Sequence, residues 1–386
     1  MNADIIIKGV VVLKLRPVLS IIAFFSLYNI LVYYIGWNVW IWGSTFFHWE
    51  HPILFSLIIA VIAYSYILGR LSKGLSFLSI IGSYWFAVVQ YGLLLLPICN
   101  LTVFLLKWSP LSEEAAIIWT GNVTLFIFLL LMALGTFNAY SPVIRSYEIS
   151  IPKRGNHHKE LKIAVASDMH FGKLSGRAHV SRLVKTVERI KPDLILLPGD
   201  IIDDDPKQFV RKQMGGILKR MRAPLGIYGV LGNHEYYGRE IPAFLEEMKK
   251  LDIHILMDEV WKVGDSFYIL GRKDKTDSKR KSIKDLAENL DHNLPIIAMD
   301  HQPTQLQEAE ESGIDLILSG HTHRGQMLPN HLITKRMFEL DWGYLQKNSL
   351  HAIVSSGFGF WGPPIRIGSR SEVVEIKISF LQEDKV

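Results

Sequence analysis

Cysteine is nearly absent from this 386-residue chain, and its one copy, Cys99, lies inside an apolar run. A single thiol excludes an intramolecular disulfide framework. Charge is also scarce over the first third, where the runs Leu19–Trp37, Ile53–Gly69 and Ile117–Phe137 are each about long enough to cross a bilayer. A longer run, Leu75–Leu106, predicts one span with an interfacial continuation around Pro97 and Asn100. Polar stripes at helical spacing are missing from these runs, which argues against buried helices of a soluble bundle. Ionisable residues within them are essentially missing too, which argues against a transport bundle. No small-residue cleavage site follows the first run, so a cleavable signal is not expected. The expectation is four transmembrane helices.

Basic residues set an orientation. Lys8, Lys14 and Arg16 precede the first run, Arg70 and Lys73 follow the second, and Arg145, Lys153 and Arg154 follow the fourth. The first and second runs are separated by a stretch without Lys or Arg that carries Trp40, Trp42 and Trp49. Only Lys107, beside Glu113 and Glu114, lies between the third and fourth. Four spans then place both termini and everything after the fourth run in the cytoplasm, at a plasma or inner membrane. The net charge of +5 reads as membrane orientation, and no nucleic acid is expected as a partner.

From about Ser146 short apolar runs alternate with charged helical segments. "LKIAVASD", "PDLILLPGD", "GIYGVLGNHE", "LPIIAMDH" and "DLILSGHTH" read as buried strands, and "HVSRLVKTVERIK", a stretch around Arg211 to Met221, "PAFLEEMKKL" and "TQLQEAEESG" as helices. Such alternation indicates an α/β sandwich, in which ligands gather beyond the carboxyl ends of the strands. Each of those ends carries a side chain able to hold a metal. They are Asp168 and His170, then Asp200, then Asn233 and His234, then His301, and finally His321 and His323. One D-x-H or G-D has an ordinary reading as a helix cap or a turn. Five in succession at strand ends point to a metal site.

Carboxylate, amide and imidazole donors without thiolate favour Mn(II), Fe or Zn over an iron–sulfur cluster. Even seven of these donors are too many for one ion and enough for two, which at a separation of about 3.5–4 Å can hold a phosphoryl oxygen and activate water. Glycines before Asp200, Asn233 and His321 let the backbone turn sharply and come close to such ions. His321 and His323, two apart in an extended segment, would point the same way.

The motifs "SDMHFG", "LLPGDIID", "GNHEYY", "DHQP" and "SGHTHRGQ", in this order between about residues 160 and 380, resemble the calcineurin-like metallophosphoesterase family. Met169 and Asp300 depart from the residues usual there, at positions that are not ligands. The apolar runs make an α-helical membrane domain (1–140), followed by a linker and lead-in strand (141–160), and the resemblance implies a metallophosphoesterase domain (161–386). That domain would be a four-layer sandwich of two β-sheets flanked by helices. It also implies that Asp168, His170 and His323 hold one metal and Asn233, His301 and His321 the other. Asp200 would bridge them, and His234 would contact the phosphate or protonate the leaving oxygen.

The reaction so implied is metal-dependent hydrolysis of a phosphodiester or pyrophosphate bond. The membrane tether and "SSGFGFWGPPIRIG" are similar to a bacterial subgroup that includes phosphodiesterases and enzymes hydrolysing UDP-diacylglucosamine, so a lipid or lipid-linked substrate is expected. A tethered nucleotide or cyclic-nucleotide phosphodiesterase is the alternative enzyme, and a scaffold or regulatory domain without chemistry is the alternative of another class. Phe358, Phe360 and Trp361 either border the metal cleft and meet lipid, with Phe360 and Trp361 as the substrate contacts, or form a small satellite core. The run Asp203–Asp205 reads as solvated and helix-capping. His48, His51, His157, His158, His179, His254, His292, His331 and His351 have no partners at ligand spacing. Metal identity, substrate and oligomeric state stay open.

Overall fold

The computed structural model describes residues 15–71, 75, 77–156 and 158–381. Lys8, Lys14, Lys73 and His157 lie outside them. The chain divides into two compact units, one ending at Leu131 and the other beginning at Met132.

Among the described residues, four helices are long and apolar enough to cross a membrane. They are α1 (Leu15–Phe47), α2 (Pro52–Leu71), α3 (Leu78–Leu106) and α4 (Glu113–Tyr140). Helix α1 runs ten residues past the expected end, so Trp40 and Trp42 belong to it and only Trp49 lies in the connection. Trp42 is held there by donating Nε1–H to Asn122 Oδ1 at 3.0 Å. Helix α3 also continues through Pro97 instead of passing into an interfacial segment. A proline removes one helical hydrogen bond, whereas unwinding a turn in an apolar setting would strand several backbone groups. Small residues let α2 and α3 approach closely, since a Cβ on Gly82 would collide with the Tyr66 backbone.

The second unit continues with β1 (Val143–Arg154), β2 (Glu160–Val165), α5 (Arg177–Ile190), β3 (Leu194–Pro198), α6 (Pro206–Arg211), α7 (Met214–Leu218) and β4 (Ile227–Val230). Then come α8 (Asn233–Gly238), α9 (Ile241–Lys250), β5 (His254–Ile255), β6 (Glu259–Val263) and β7 (Phe267–Gly271). After these lie α10 (Ile283–Ala287), β8 (Ile296–Met299), α11 (Leu306–Glu311), β9 (Leu316–Ser319) and α12 (His331–Met337). Strands β10 (Gly343–Lys347), β11 (Leu350–Val354) and β12 (Glu372–Leu381) close the fold.

Two six-stranded sheets result, ordered β1-β12-β2-β3-β4-β5 and β10-β11-β9-β8-β7-β6. Ile163, Val165, Phe267, Ile269, Ile297 and Leu316 fill the space between them. Helix α5 packs Val180, Leu183, Val184 and Val187 on the outer face of the first sheet. Ile283, Leu286 and Leu306, from α10 and α11, cover the second. These are the four layers of the metallophosphoesterase sandwich. Strands β2, β3, β4 and β8, β9 run parallel to their sheet neighbours within these sets, so their carboxyl ends share one edge.

The lead-in strand is long, and one expected helix is divided. The segment 141–160 is mostly strand: β1 pairs in parallel with β12 from Val143↔Glu372 onward, burying Ile149 and Ile151. The helix around Arg211 to Met221 is two short helices, broken at Gln213, whose φ is 51°. Gly215 and Gly216 follow that break, and glycine is a poor helix former.

Candidate metal centre

The loops leaving the strands are laced together before any ligand is considered. Asp168 N–H donates to Gly199 O (3.0 Å) and His170 N–H to Asp200 O (3.0 Å), so the loops after β2 and β3 share backbone bonds. Gly320 N–H donates to His301 O (3.0 Å), tying the loops after β8 and β9. His321 N–H crosses to the first sheet and donates to Asp168 Oδ1 (2.8 Å). Five of these residues adopt the left-handed region: Asp168 (φ 51°), His170 (44°), Asp200 (52°), His321 (69°) and His323 (48°). The His321–His323 segment is therefore a tight turn and not the extended stretch expected. Such conformations are costly for residues with a Cβ and persist where surrounding contacts over-determine them. Thr322 supplies one such contact by accepting from Arg324 N–H (3.2 Å).

Two of the glycines act by making room. A Cβ on Gly320 would collide with Asp168 Oδ2, and one on Gly232 would collide with Asp200 Oδ1. Each glycine thus opens the space into which a carboxylate projects, from the adjacent strand β3 at Gly232 and from β2 of the other sheet at Gly320.

Among the described residues, three sets of donors converge to within 4.8 Å: Asp168, His170 and His323; Asp200, His301 and His321; and His170, Asp203 and His234. Asp200 Oδ2 lies 3.2 Å from His301 Nε2 and 3.8 Å from His170 Nε2, between the first two sets. Asn233 Oδ1 is 3.1 Å from His301 Nε2 and 2.9 Å from His321 Nδ1. His170 Nε2 and His323 Nε2 face each other at 3.1 Å. Asp168 Oδ2 and His170 Nδ1 are buried without a hydrogen-bond partner. A buried carboxylate oxygen without a partner, and imidazole nitrogens aimed at one another, fit a divalent cation.

Burial pulls His170 down to about 3 and His321 to about 4, keeping those rings neutral with a lone pair to offer. Burial opposes ionisation of Asp200, yet the His301 and His170 rings hold its carboxyl well below the usual range. Burial pushes Asp168 up to about 6, with His301 opposing and Asp200 assisting.

His234 stands apart electrostatically. Its Nδ1 lies 2.7 Å from Asp204 Oδ1. Burial disfavours its charged form, but that hydrogen bond and the charges of Asp200, Asp204 and Asp203 prevail and push it up to about 9. The acidic run is thus not merely solvated. Asp205 caps α6, accepting from Lys207 N–H (2.8 Å), while Asp204 reaches the site. The signal available in sequence was its position four residues after Asp200.

Other supporting residues carried weaker signals. Arg366 is fully buried, donates to Gly357 O (3.2 Å) and Gly359 O (2.6 Å), and places Nη2 3.2 Å from His323 Nδ1. Its one clue was a lone cation in the apolar stretch "PPIRIG". Glu235 accepts from the backbone of Asp200, Ile202 and Gly232, joining the loops after β3 and β4. Asp300 is paired with Arg272 (3.0 Å) and Arg280 (3.3 Å) directly before His301.

The aromatic loop divides. Phe358 is buried, with its ring 4.3 Å from that of His179, and Phe360 is buried 5.1 Å from Tyr140. Phe360 has no open face, so the expectation that it meets substrate gives way to a packing role. Trp361 is 62% exposed. His179 is a core histidine facing Phe358 O (3.1 Å).

Residues 161–325 match the family model described as calcineurin-like phosphoesterase. An uncharacterized metallophosphoesterase of Aquifex aeolicus is 32% identical over 264 residues, covering 66% of this chain and 98% of that protein. An uncharacterized metallophosphoesterase of Helicobacter pylori is 34% identical, over 57% of this chain and 60% of its own length. A transmembrane protein with metallophosphoesterase domain from Danio rerio is 28% identical over 292 residues, 70% of this chain and 66% of that protein.

Proposed function

The chain belongs to the calcineurin-like metallophosphoesterase family, and on that premise we propose a membrane-anchored hydrolase that cleaves a phosphodiester or pyrophosphate bond of a lipid or lipid-linked substrate. The observation that carries the reading is the position of Asp200 Oδ2 between two sets of buried donors. Asp168, His170 and His323 would hold one divalent ion, and Asn233, His301 and His321 the other, with Asp200 shared. When bound, such a pair supplies Lewis-acid charge and an activated water. The donor set, lacking thiolate, suits Mn(II), with Fe or Zn as alternatives.

The residues divide the remaining work. Asp204 keeps His234 protonated and fixes its ring through Nδ1, leaving Nε2–H to donate to the leaving oxygen. Burial of the ligands lets them recognise charge in a low-dielectric pocket. Support for a lipid substrate comes from the four apolar helices and from exposed Trp361, whose N–H donates to Gln326 Oε1 (2.8 Å) beside the His321–His323 turn. The bias of basic residues supports a cytoplasmic catalytic domain.

The test is purified full-length protein, its metal content, and turnover on lipid pyrophosphates, cyclic nucleotides and a soluble aryl phosphodiester. Asp200→Asn should abolish hydrolysis of every substrate with the helices intact. Near-normal turnover by that variant would remove the two-ion assignment. Preference for cyclic nucleotides over lipid pyrophosphates would replace the lipid reading with that of a tethered nucleotide phosphodiesterase.

A further inference from the structure

Helix α12 has no buried residue, yet three of its seven are large and apolar: Leu332 is 61% exposed, Ile333 60% and Met337 69%. Lys335 and Arg336 are exposed between them. A helix this short gains little from its own hydrogen bonds, and its apolar side chains gain nothing from the core. It is held by polar ties, with Thr334 Oγ1 donating to Asp341 Oδ2 (2.7 Å). Scattered exposed apolar side chains are ordinary; a cluster with no partner face marks an interaction surface.

Backbone bonds connect this cluster to the end of α4, whose last residues, Met132–Tyr140, belong to the same unit. Arg366 N–H donates to Gly135 O (2.9 Å), Asn138 Nδ2–H to Arg366 O (3.1 Å), and Ser371 N–H to Asn138 O (3.0 Å). Ile367 N–H donates to Gln326 O (3.0 Å) and Leu328 N–H to Ile367 O (2.9 Å), two residues before Asn330 and α12. Gln326 also brackets Trp361, taking its N–H and giving Nε2–H to its carbonyl (2.9 Å). Where the fourth apolar helix ends, the exposed residues Leu328, Leu332, Ile333, Met337 and Trp361 are therefore fastened to it. Arg370, above the Phe137 ring at 5.3 Å, adds a cation at that helix end.

We propose that α12 and Trp361 form an interfacial surface that seats the metal-bearing unit on an anionic phospholipid bilayer, the one that α4 enters. Apolar side chains flanked by Lys and Arg, with an exposed tryptophan tied through Gln326 to the segment that leads into them, have the chemistry of an interface-bound element. Lys335 and Arg336 select for anionic headgroups. The inference depends on α4 spanning a membrane and is independent of which ester is cleaved.

The test uses the full chain with Cys99→Ser, carrying Ile333→Cys, Met337→Cys or, as a control on α9, Lys250→Cys, each labelled with an environment-sensitive fluorophore. The proteins are reconstituted into phosphatidylcholine vesicles with or without phosphatidylglycerol, and metal content and melting temperature confirm folding. Spin-labelled lipid should quench the probes at 333 and 337 several-fold more than the probe at 250, and more strongly with phosphatidylglycerol present. Quenching equal to that at 250 overturns the proposal. A blue shift without lipid quenching also overturns it, because a protein partner or second copy would then cover the surface. Equal quenching with and without phosphatidylglycerol overturns the anionic assignment. Phe360, being buried, is not used as a probe site.

Discussion

Replacing Gly320 by alanine adds one carbon at the most crowded point of the centre. Gly320 lies between β9 and His321, and an added Cβ would collide with Asp168 Oδ2 while lying 2.6 Å from Ser167 Oγ and 2.8 Å from Ser167 Cβ. Ordinary contact begins at 3.4 Å, so the Ser167 hydroxyl alone must yield by about 0.8 Å. Asp168 has nowhere to retreat: its N–H is bonded to Gly199 O, and Gly357 closes on its Cβ from another side. Overpacking of this kind costs about 1–3 kcal/mol of stability. Moving a reacting geometry by about 1 Å costs on the order of 10²-fold in rate. Gly320→Ala should therefore remain folded, lose affinity for one ion, and lose about 10²-fold in turnover of a soluble aryl phosphodiester. Metal titration, melting temperature and turnover on the same preparation read all three. Gly216→Ala is the control, because nothing lies within 4 Å of its added Cβ; it should be neutral or stabilising by about 0.4–1 kcal/mol. Full metal content with wild-type turnover in Gly320→Ala would refute the account of glycine as the space for a ligand carboxylate.

His234→Ala should keep its metal while losing about 10²–10⁴-fold in rate. Asp204→Asn should shift the alkaline limb of the rate profile toward lower pH, because the carboxylate that raises His234 is gone; an unmoved limb would detach His234 from that limb. The same pairing makes a stability contribution that is complete below the unfolded histidine value of 6.5 and lost as pH rises through about 9, so Asp204→Asn should narrow the stability difference between neutral and alkaline buffer. Arg366→Met should lower the melting temperature, since leaving Gly357 O and Gly359 O unsatisfied costs about 1–3 kcal/mol each; an unchanged melting temperature would deny the clamp. A reporter that works only in the cytoplasm should be active when fused after Val386, and an export-dependent reporter silent; the reverse pattern would put the metal centre on the other side.

Residue type and spacing alone marked the candidate donors, because each stands at the end of a short apolar strand whose pattern is local. The same holds for the four apolar helices, whose signal is a run of uncharged residues. Their ends were less legible: α1 passes through Trp40 and Trp42, and α3 through Pro97, since continuity there depends on contacts and on the absence of water. The length of the lead-in strand β1 was less legible for a related reason. Only Ile149 and Ile151 of it enter the core, and its partner β12 lies at the far end of the sequence.

The pairing of the donors, which in sequence rests on the family resemblance alone, has its physical basis in the tertiary structure. His170 and His323 face each other across 153 residues of chain, and no periodicity reports a contact of that range. Asp204 and Arg366 are of the same kind: one is the middle of an acidic run and the other a lone cation in an apolar stretch, and each acquires its role from an imidazole folded against it. The aromatic loop shows the limit most directly. Phe360 and Trp361 are adjacent and equally apolar, yet one is sealed against Tyr140 and the other faces outward, because the turn that carries them presents successive side chains to opposite environments.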